Sequence, residues 1–237
     1  MNKSPSSKYR YVVIMRHGTK QEMKNRYDLP LVSESKRYCQ NQNTFKQVAS
    51  KLKKSPNKKV IYSSPFLRTK QTAGRFAKKI DYHNPIRIHN GLGESYSSVV
   101  KELNKCGETE YKIPKQTTHI DKCLLSTLDK KEIKNMVKSV DELDKYKFCH
   151  VEKQVKSPKN KREQDCNFKK TVCQIIKNNP GKDIVIVTHG RNVRKSPNIL
   201  SSKTIVTNPR TCGSVLYKQT KGNNKFDIDD YHGLFML

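Results

Sequence analysis

The chain lacks long apolar runs, an evident secretory leader and paired cysteines, and each absence argues against a class of protein. No segment approaches the roughly 20 apolar residues that span a bilayer, so we expect no membrane span. The basic segment 1–10 is not followed by an apolar stretch long enough for a secretory signal, which argues against one. The seven cysteines are odd in number and form no C-x-x-C pair, which predicts neither a zinc ribbon nor a disulfide framework. These absences together predict an intracellular, cytoplasmic protein.

Acidic residues are also scarce: 21 of them face 49 lysines and arginines, and the formal net charge is +28. Such a field attracts phosphates, nucleic acids and other anions. The lysines are scattered over the whole chain, however, which fits a bias of composition equally well. No arginine-rich stripe and no aromatic RNA-binding signature accompanies them, so we do not expect nucleic acid as a partner. Whether the charge is functional stays open, and nothing in the sequence indicates an oligomeric state.

Short apolar runs alternate with stretches of helical periodicity along most of the chain. Strands are predicted at residues 9–15, 59–63, 86–89, 184–188 and 214–218. Helices are predicted around the apolar stripes Phe45/Val48/Ala49/Leu52, Ala73/Phe76/Ala77/Ile80 and Phe168/Val172/Ile175/Ile176. The run at 184–188 is apolar on both faces, as in a parallel strand covered by helices. The pattern predicts an α/β fold, namely a three-layer αβα sandwich with a mostly parallel central sheet.

The length suits one domain over residues 1–237, with a polar tail at 1–8 and an insertion at about 99–161. Strand signals are missing from this insertion, and its clearest pattern is a helical stripe at 133–140. We therefore expect a helical insertion that covers the site and sets its specificity. Near the end of the chain, Pro197 is expected to break the last helix early, because proline has no backbone N–H to donate.

Two of the predicted strands end in nearly the same way, at Arg16-His17-Gly18 and at Thr188-His189-Gly190. In open α/β sheets, ligands bind beyond the carboxyl ends of the strands. If these two strands are neighbours, His17 and His189 meet at one edge of the sheet. The glycine after each histidine lets the backbone turn and approach a ligand closely.

Two further segments supply charged groups at the ends of predicted strands. Arg68 lies at the start of a predicted helix, where free backbone N–H groups already favour an anion. Arg16 and Arg68 are therefore suited to grip one phosphate with forked, charge-assisted hydrogen bonds. Glu94 follows a glycine turn after the third strand, where a carboxyl group is suited to donate a proton. The combination predicts a phosphate site.

These motifs resemble those of the histidine phosphatase, or phosphoglycerate-mutase-like, superfamily. The segments that carry the resemblance are Met15-Arg16-His17-Gly18, Ser63-Ser64-Pro65-Phe66-Leu67-Arg68-Thr69-Lys70-Gln71-Thr72-Ala73, Leu92-Gly93-Glu94 and Thr188-His189-Gly190. Within the superfamily, Tyr27-Asp28-Leu29-Pro30-Leu31 and the Ser63 to Arg68 segment look most like the eukaryotic phosphatases related to suppressor-of-T-cell-signalling proteins.

The resemblance implies a phosphatase that acts through a phosphohistidine. His17 is then the nucleophile, and Glu94 protonates the leaving oxygen. Arg16, Arg68 and His189 surround the phosphoryl group and neutralise its charge. The residues expected to bind substrate are Gly18, Thr19 and Gly190. The scheme needs no metal and no cofactor, and its partner is a phosphorylated small molecule or a phosphoprotein.

Other functions stay open on the sequence alone. A catalytically weak module that uses the phosphate pocket for binding is one, and a basic nucleic-acid binder is another. A phosphoglycerate-mutase-type enzyme or a sugar-bisphosphate phosphatase is a third. Met23 and Arg191 stand where mutases of the family have asparagines, which argues against mutase activity. The sequence does not distinguish between the possible phosphorylated substrates.

Overall fold

The fold is described from a computed structural model of the chain. The residues that the structure describes are 8–19, 42–94, 143, 145–151, 158, 160–203, 207–220 and 225–236. Some of the sequence expectations concern residues outside these ranges. They are the segment from Tyr27 to Leu31, the position of Met23, the helical stripe at 133–140 and most of the polar tail.

One seven-stranded sheet runs through the described part of the molecule. Its strands are β1 (Tyr9–Arg16), β2 (Lys59–Ser63), β3 (Ile86–Ile88), β4 (Phe148–His150), β5 (Asp183–Thr188), β6 (Thr207–Thr220) and β7 (Asp227–Met236). Their order across the sheet is β4-β3-β2-β5-β1-β6-β7. The first five of these are parallel to one another, whereas β6 and β7 pair antiparallel at one edge. The mostly parallel sheet predicted from the sequence is confirmed.

Helices cover both faces of this sheet. They are α1 (Gln42–Lys54), α2 (Leu67–Lys79), α3 (Lys161–Lys177) and α4 (Gly190–Leu200). The apolar stripes of α1 and α2 pack in one core, and those of α3 and α4 pack in a second core on the opposite face. This arrangement is the predicted three-layer αβα sandwich. Within the described ranges, no helix is long and apolar enough to cross a bilayer.

The central strand β5 explains how one sheet supports two cores. Every residue of β5 is buried. Val185 and Val187 face the core with α1 and α2, whereas Ile184 and Ile186 face the core with α3 and α4. Side chains alternate between the faces of a strand, so a strand covered on both sides must be apolar at every position. The apolar run at 184–188 has this position for that reason.

Two strands were not predicted from the sequence. β4 lies inside the segment 99–161, for which only helix is expected, and it pairs with β3 at the edge of the sheet. Three residues are too few for an alternating pattern to be visible. β7 (Asp227–Met236) begins with alternating acidic residues and is only partly buried, because it is an edge strand paired with β6 alone. The sheet is therefore wider than the sequence pattern indicates.

The prediction that Pro197 ends the last helix is wrong, because α4 continues to Leu200. A proline in a helix leaves the carbonyl four residues earlier without its N–H donor. Here the hydroxyl of Ser196 donates to that carbonyl, on Val193, at 2.8 Å. The lost backbone bond is therefore replaced by a side-chain bond one residue before the proline. The next turn also forms, since the N–H of Ser201 donates to the Pro197 carbonyl at 2.9 Å.

The cysteines differ from expectation at one position. Cys212 is fully buried and disulfide-bonded, so the chain contains at least one disulfide, contrary to what the cysteine spacing predicts. Cys149, Cys166 and Cys173 are free.

We expect the core under α3 to contribute strongly to stability. Phe168 is completely buried between α3 and the sheet. Replacing such a side chain by alanine removes buried apolar area and leaves a cavity, which costs about 3–5 kcal/mol. Urea unfolding followed by circular dichroism should show this loss for Phe168→Ala. The neighbouring exposed variant Lys169→Ala should stay within about 0.5 kcal/mol of the unchanged protein. Equal stability of the two variants would contradict the assigned core.

Candidate active site

The pairing of β1 with β5 brings the two histidines together. These strands are parallel neighbours, and Arg16 is in register with Thr188. The next residue of each strand end is a histidine, and the ring centroids of His17 and His189 lie 5.5 Å apart. Both rings are buried. The juxtaposition predicted from the two similar strand ends is therefore present at the carboxyl edge of the sheet.

The backbone around His17 is held from three sides. Its N–H donates to the Thr188 carbonyl at 3.0 Å, and its carbonyl accepts from the N–H of Cys212 at 3.1 Å. The N–H of Gly18 donates to the hydroxyl of Thr72 on α2 at 2.9 Å. The strands β5 and β6 and the helix α2 thus each supply one contact. These contacts fix the imidazole relative to the sheet.

The imidazole of His17 has one nitrogen engaged by the backbone. Its Nδ1 lies 2.7 Å from the carbonyl oxygen of Gly18. A carbonyl oxygen can only accept, so Nδ1 carries the proton and Nε2 carries the lone pair. Burial lowers the pKa of His17 well below its ordinary value of 6.5, and the nearby Arg68, His189 and Arg16 lower it further. The ring is therefore neutral at pH 7.

His189 is the second buried imidazole of the site. Its Nε2 lies 2.9 Å from the hydroxyl of Ser64, and its ring meets the ring of Phe66 edge to face at 5.0 Å. Burial lowers the pKa of His189 well below 6.5, and the charges of Arg68 and Arg16 act in the same direction. His189 is consequently a neutral hydrogen-bonding group and not a resident cation.

Arg16 is the last residue of β1, and one nitrogen of its side chain has no hydrogen-bond partner among the described residues. Its Nη1 donates to the Pro209 carbonyl at 2.6 Å, but its buried Nε has no hydrogen-bond partner among the described residues. A buried donor without an acceptor costs free energy, which an incoming anion would remove. Gly190 lies beside this side chain, and a Cβ at that position would be in ordinary van der Waals contact with the Arg16 Nε, at 3.4 Å.

Arg68 lies in the first turn of α2 and is almost completely buried. Its Nη2 donates to Oε2 of Glu94 at 2.8 Å and lies 3.3 Å from Nδ1 of His189. The ring of Phe66 lies beneath its guanidinium, 4.8 Å from Cζ to the ring centroid. Because α2 and α4 both begin at this edge of the sheet, the N-termini of both helices add partial positive charge here.

The side chain of Glu94 contacts both Arg68 and His189. Glu94 follows a short 3-10 helix, Asn90–Leu92, and the residue Gly93. The Oε2 atom lies 3.3 Å from Nδ1 of His189, and the side chain is 27% exposed. A carboxyl group that touches both Arg68 and His189 and still reaches solvent is placed to exchange a proton with a bound ligand.

The remaining predicted residues occupy less direct positions. The hydroxyl of Thr19 pairs with the hydroxyl of Thr211 on β6 at 3.0 Å. Gly18 supplies the carbonyl that orients His17, and Gly190 lies beside Arg16. Their predicted roles in substrate binding stay predictions. In the described part of the chain, no group of three or more His, Cys, Asp or Glu side chains is arranged to hold a metal ion.

Three residues of the site were not predicted: Ser64, Phe66 and Thr72. All three lie in the segment from Ser63 to Ala73, so the signal for them was the motif itself. Their roles depend on partners more than fifty residues away, His189 for Ser64 and Gly18 for Thr72. Sequence spacing does not indicate such partners.

Comparison with known proteins agrees with this geometry. Residues 12–124 match the family model of the histidine phosphatase superfamily, branch 1. That region includes Arg16, His17, Arg68 and Glu94, whereas His189 lies beyond it. None of the curated proteins matches the chain.

Solved structures share the fold at low sequence identity. A mycobacterial glucosyl-3-phosphoglycerate phosphatase is 14% identical, with a TM-score of 0.52 over 95% of this chain and 99% of that one. Mycobacterial hydrolase 1 is 13% identical, with a TM-score of 0.52 over 95% and 99%. The ecdysone phosphate phosphatase of the silkworm Bombyx mori, solved with tungstate, is 14% identical, with a TM-score of 0.50 over 93% and 92%.

Identities this low show a common fold and nothing about substrate. The sequence match over residues 12–124 is independent of them and contains most of the charged groups of the site. Residues 12–124 are therefore similar to the histidine phosphatase superfamily, branch 1, and the chain shares the fold of these solved phosphatases.

Proposed function

We propose that this protein hydrolyses phosphomonoesters through a phosphohistidine intermediate on His17. The observation that carries the proposal is the state of this imidazole. The Gly18 carbonyl holds the proton on Nδ1, 2.7 Å away, so that Nε2 presents its lone pair to the site. The lowered pKa keeps the ring neutral near pH 7. An imidazole is nucleophilic only in this form.

In the first step, Nε2 of His17 attacks the phosphorus atom of the substrate. The N–P bond forms as the P–O bond to the leaving group breaks. Negative charge spreads over the three equatorial oxygens, so fixed positive groups contribute most of the catalysis. We expect Arg16, Arg68 and His189 to surround these oxygens, with Arg16 offering the Nε that has no partner among the described residues. Glu94 gives its proton to the departing oxygen.

In the second step, water attacks the phosphorus atom of the phosphohistidine. The Glu94 carboxylate, left ionised by the first step, takes the proton from that water. The N–P bond breaks, inorganic phosphate leaves and the His17 imidazole is restored with its proton still on Nδ1. The positive charge comes from Arg16, Arg68 and the two helix N-termini, so no metal enters the scheme.

The substrate class follows from this chemistry. It is a phosphate monoester on a small molecule or on a protein. The names of the mycobacterial and silkworm phosphatases also describe phosphate esters, which supports the class without selecting a member. We also propose that residues 1–237 form one domain. We further propose that the protein belongs to the branch of the superfamily related to suppressor-of-T-cell-signalling proteins. The Ser63 to Arg68 motif supports the branch.

A labelled phosphoenzyme is the direct expectation for His17. Rapid mixing with phosphate-labelled substrate and an alkaline quench should trap a phosphoryl group that is stable to base and labile to acid. Because the pKa of His17 is lowered, trapping should persist at pH 5.5, where about nine tenths of an ordinary imidazole is protonated. His17→Ala should abolish both trapping and turnover, and the exposed control His83→Ala should retain both. Near-normal turnover by His17→Ala would contradict the proposal, and phosphate binding without turnover would indicate a binding module.

Arg68→Lys keeps the positive charge but loses the planar fork that fits two phosphate oxygens. We expect the catalytic efficiency kcat/KM to fall about tenfold or more, equivalent to about 1.4 kcal/mol. Arg10→Lys is the matched control, because Arg10 lies near the start of β1, at the far end of the sheet, and bonds Gln219 and the Asn179 carbonyl. Steady-state kinetics on one substrate suffices. If the two variants are equally active, Arg68 does not bind the transferring group.

Glu94→Gln removes the proton donor and keeps the side-chain size. The loss should be large on an alkyl phosphate, about 10²–10⁴-fold, because a poor leaving group must be protonated as it departs. It should be much smaller on nitrophenyl phosphate, whose phenolate leaves unaided. Glu163→Gln, an exposed acid-to-amide change in the first turn of α3, serves as the control. A uniform loss on both substrates would argue that Glu94 positions the substrate and does not protonate it.

A further inference from the structure

The turn that carries Glu94 is held from beneath by two buried side chains. The hydroxyl of Thr188 donates to the Leu92 carbonyl at 2.7 Å. The side-chain nitrogen of Asn192 lies 3.2 Å from the same carbonyl and 3.4 Å from the Gly93 carbonyl. These four residues are called here the carbonyl clamp. It grips the backbone of the two residues that immediately precede Glu94.

The orientation of the Asn192 amide is determined by its neighbours. Its nitrogen also donates to the Thr188 hydroxyl at 2.8 Å, and its oxygen accepts from the Gln164 side chain on α3 at 2.9 Å. If the amide were flipped, its oxygen would face the two carbonyl oxygens, and its nitrogen would face the side-chain nitrogen of Gln164. Thr188, Asn192 and Gln164 are all completely or almost completely buried. Buried polar groups bonded in this way hold one geometry.

The clamp joins the two halves of the candidate site. Thr188 immediately precedes His189, and its carbonyl accepts the His17 N–H. Asn192 lies in the first turn of α4, two residues after Gly190. The residues that hold the histidines therefore also hold the turn of Glu94. One set of bonds fixes the distance between the nucleophile and the carboxyl group.

We infer that Asn192, with Thr188 and Gln164, is a positioning residue that sets where the Glu94 carboxyl meets the leaving group. This inference rests on the proposed function, in which Glu94 donates the proton. Asn192 acts through the backbone of Leu92 and Gly93 and does not itself touch a reacting atom. A displacement of about 1 Å in a catalytic group can cost about 10²-fold in rate, so a loosened turn has a measurable effect.

The test compares two substitutions of one residue. Thr188→Val has nearly the same shape but no hydroxyl, whereas Thr188→Ser keeps the hydroxyl. For each protein, kcat is measured on an alkyl phosphate and on nitrophenyl phosphate. The ratio of the two rates in one sample is independent of how much of that sample is folded. We expect Thr188→Val to lower the alkyl-to-aryl ratio about tenfold, Asn192→Leu to lower it similarly and Thr188→Ser to leave it unchanged.

A purely structural role would move stability without moving this ratio. The surface pair between Arg191 and Asp165 also ties α4 to α3, with bonds of 2.8 Å and 2.7 Å, but it does not touch the clamp. Asp165→Asn is therefore the control for loosened helix packing, and it should leave the ratio unchanged. Hydrogen exchange of the backbone at 89–94 should be faster in Thr188→Val and Asn192→Leu only.

Two outcomes distinguish the positioning role from the proposed hydrolysis. If the variants turn over both substrates with the ratio of the unchanged protein, the positioning role is overturned and the proposed hydrolysis stands. If the unchanged protein turns over neither substrate, the proposed function itself is contradicted and the positioning role fails with it.

Discussion

The parallel pairing of β1 with β5 is the constraint on which the rest of the site depends. In its register Arg16 lies beside Thr188, so both histidines leave the sheet at the same level. A slip of one residue would turn every side chain of a strand to the opposite face and separate the two rings. Polar contacts at the two ends of the pair oppose the slip, since Asp183 accepts from the Tyr11 N–H at 2.9 Å and the Thr188 carbonyl accepts from the His17 N–H at 3.0 Å.

The positive charge around His17 favours binding of an anion. Arg68 is buried and Arg16 is partly buried beside two neutral imidazoles, and desolvation lowers the pKa of Arg16. The Glu94 carboxyl group accepts a hydrogen bond from Arg68 at 2.8 Å. The buried Arg16 Nε without an acceptor is a local departure from good packing of polar groups. Departures of this kind are expected where a ligand completes the site.

Two sets of buried polar side chains position different parts of the site. On the side of the histidines, Ser64 and Thr72 orient rings and backbone by single bonds. On the side of the acid, Thr188, Asn192 and Gln164 form a connected network beneath the Glu94 turn. Both sets are buried. In the protein interior a hydrogen bond is stronger than in water, and a missing hydrogen bond costs more free energy. The site is therefore precise although its elements are far apart in sequence.

The long apolar strands, the three-layer fold and the charged strand ends could be predicted from the sequence, because they depend on periodicity and on local motifs. The sequence did not indicate β4 and β7, whose edge positions leave little apolar pattern, and it misjudged Pro197, whose cost is met by Ser196. Only the tertiary structure decided the partners of His17 and Asn192. Such bonds join residues as distant in sequence as His17 and Cys212, and their geometry exists only after the helices pack on the sheet.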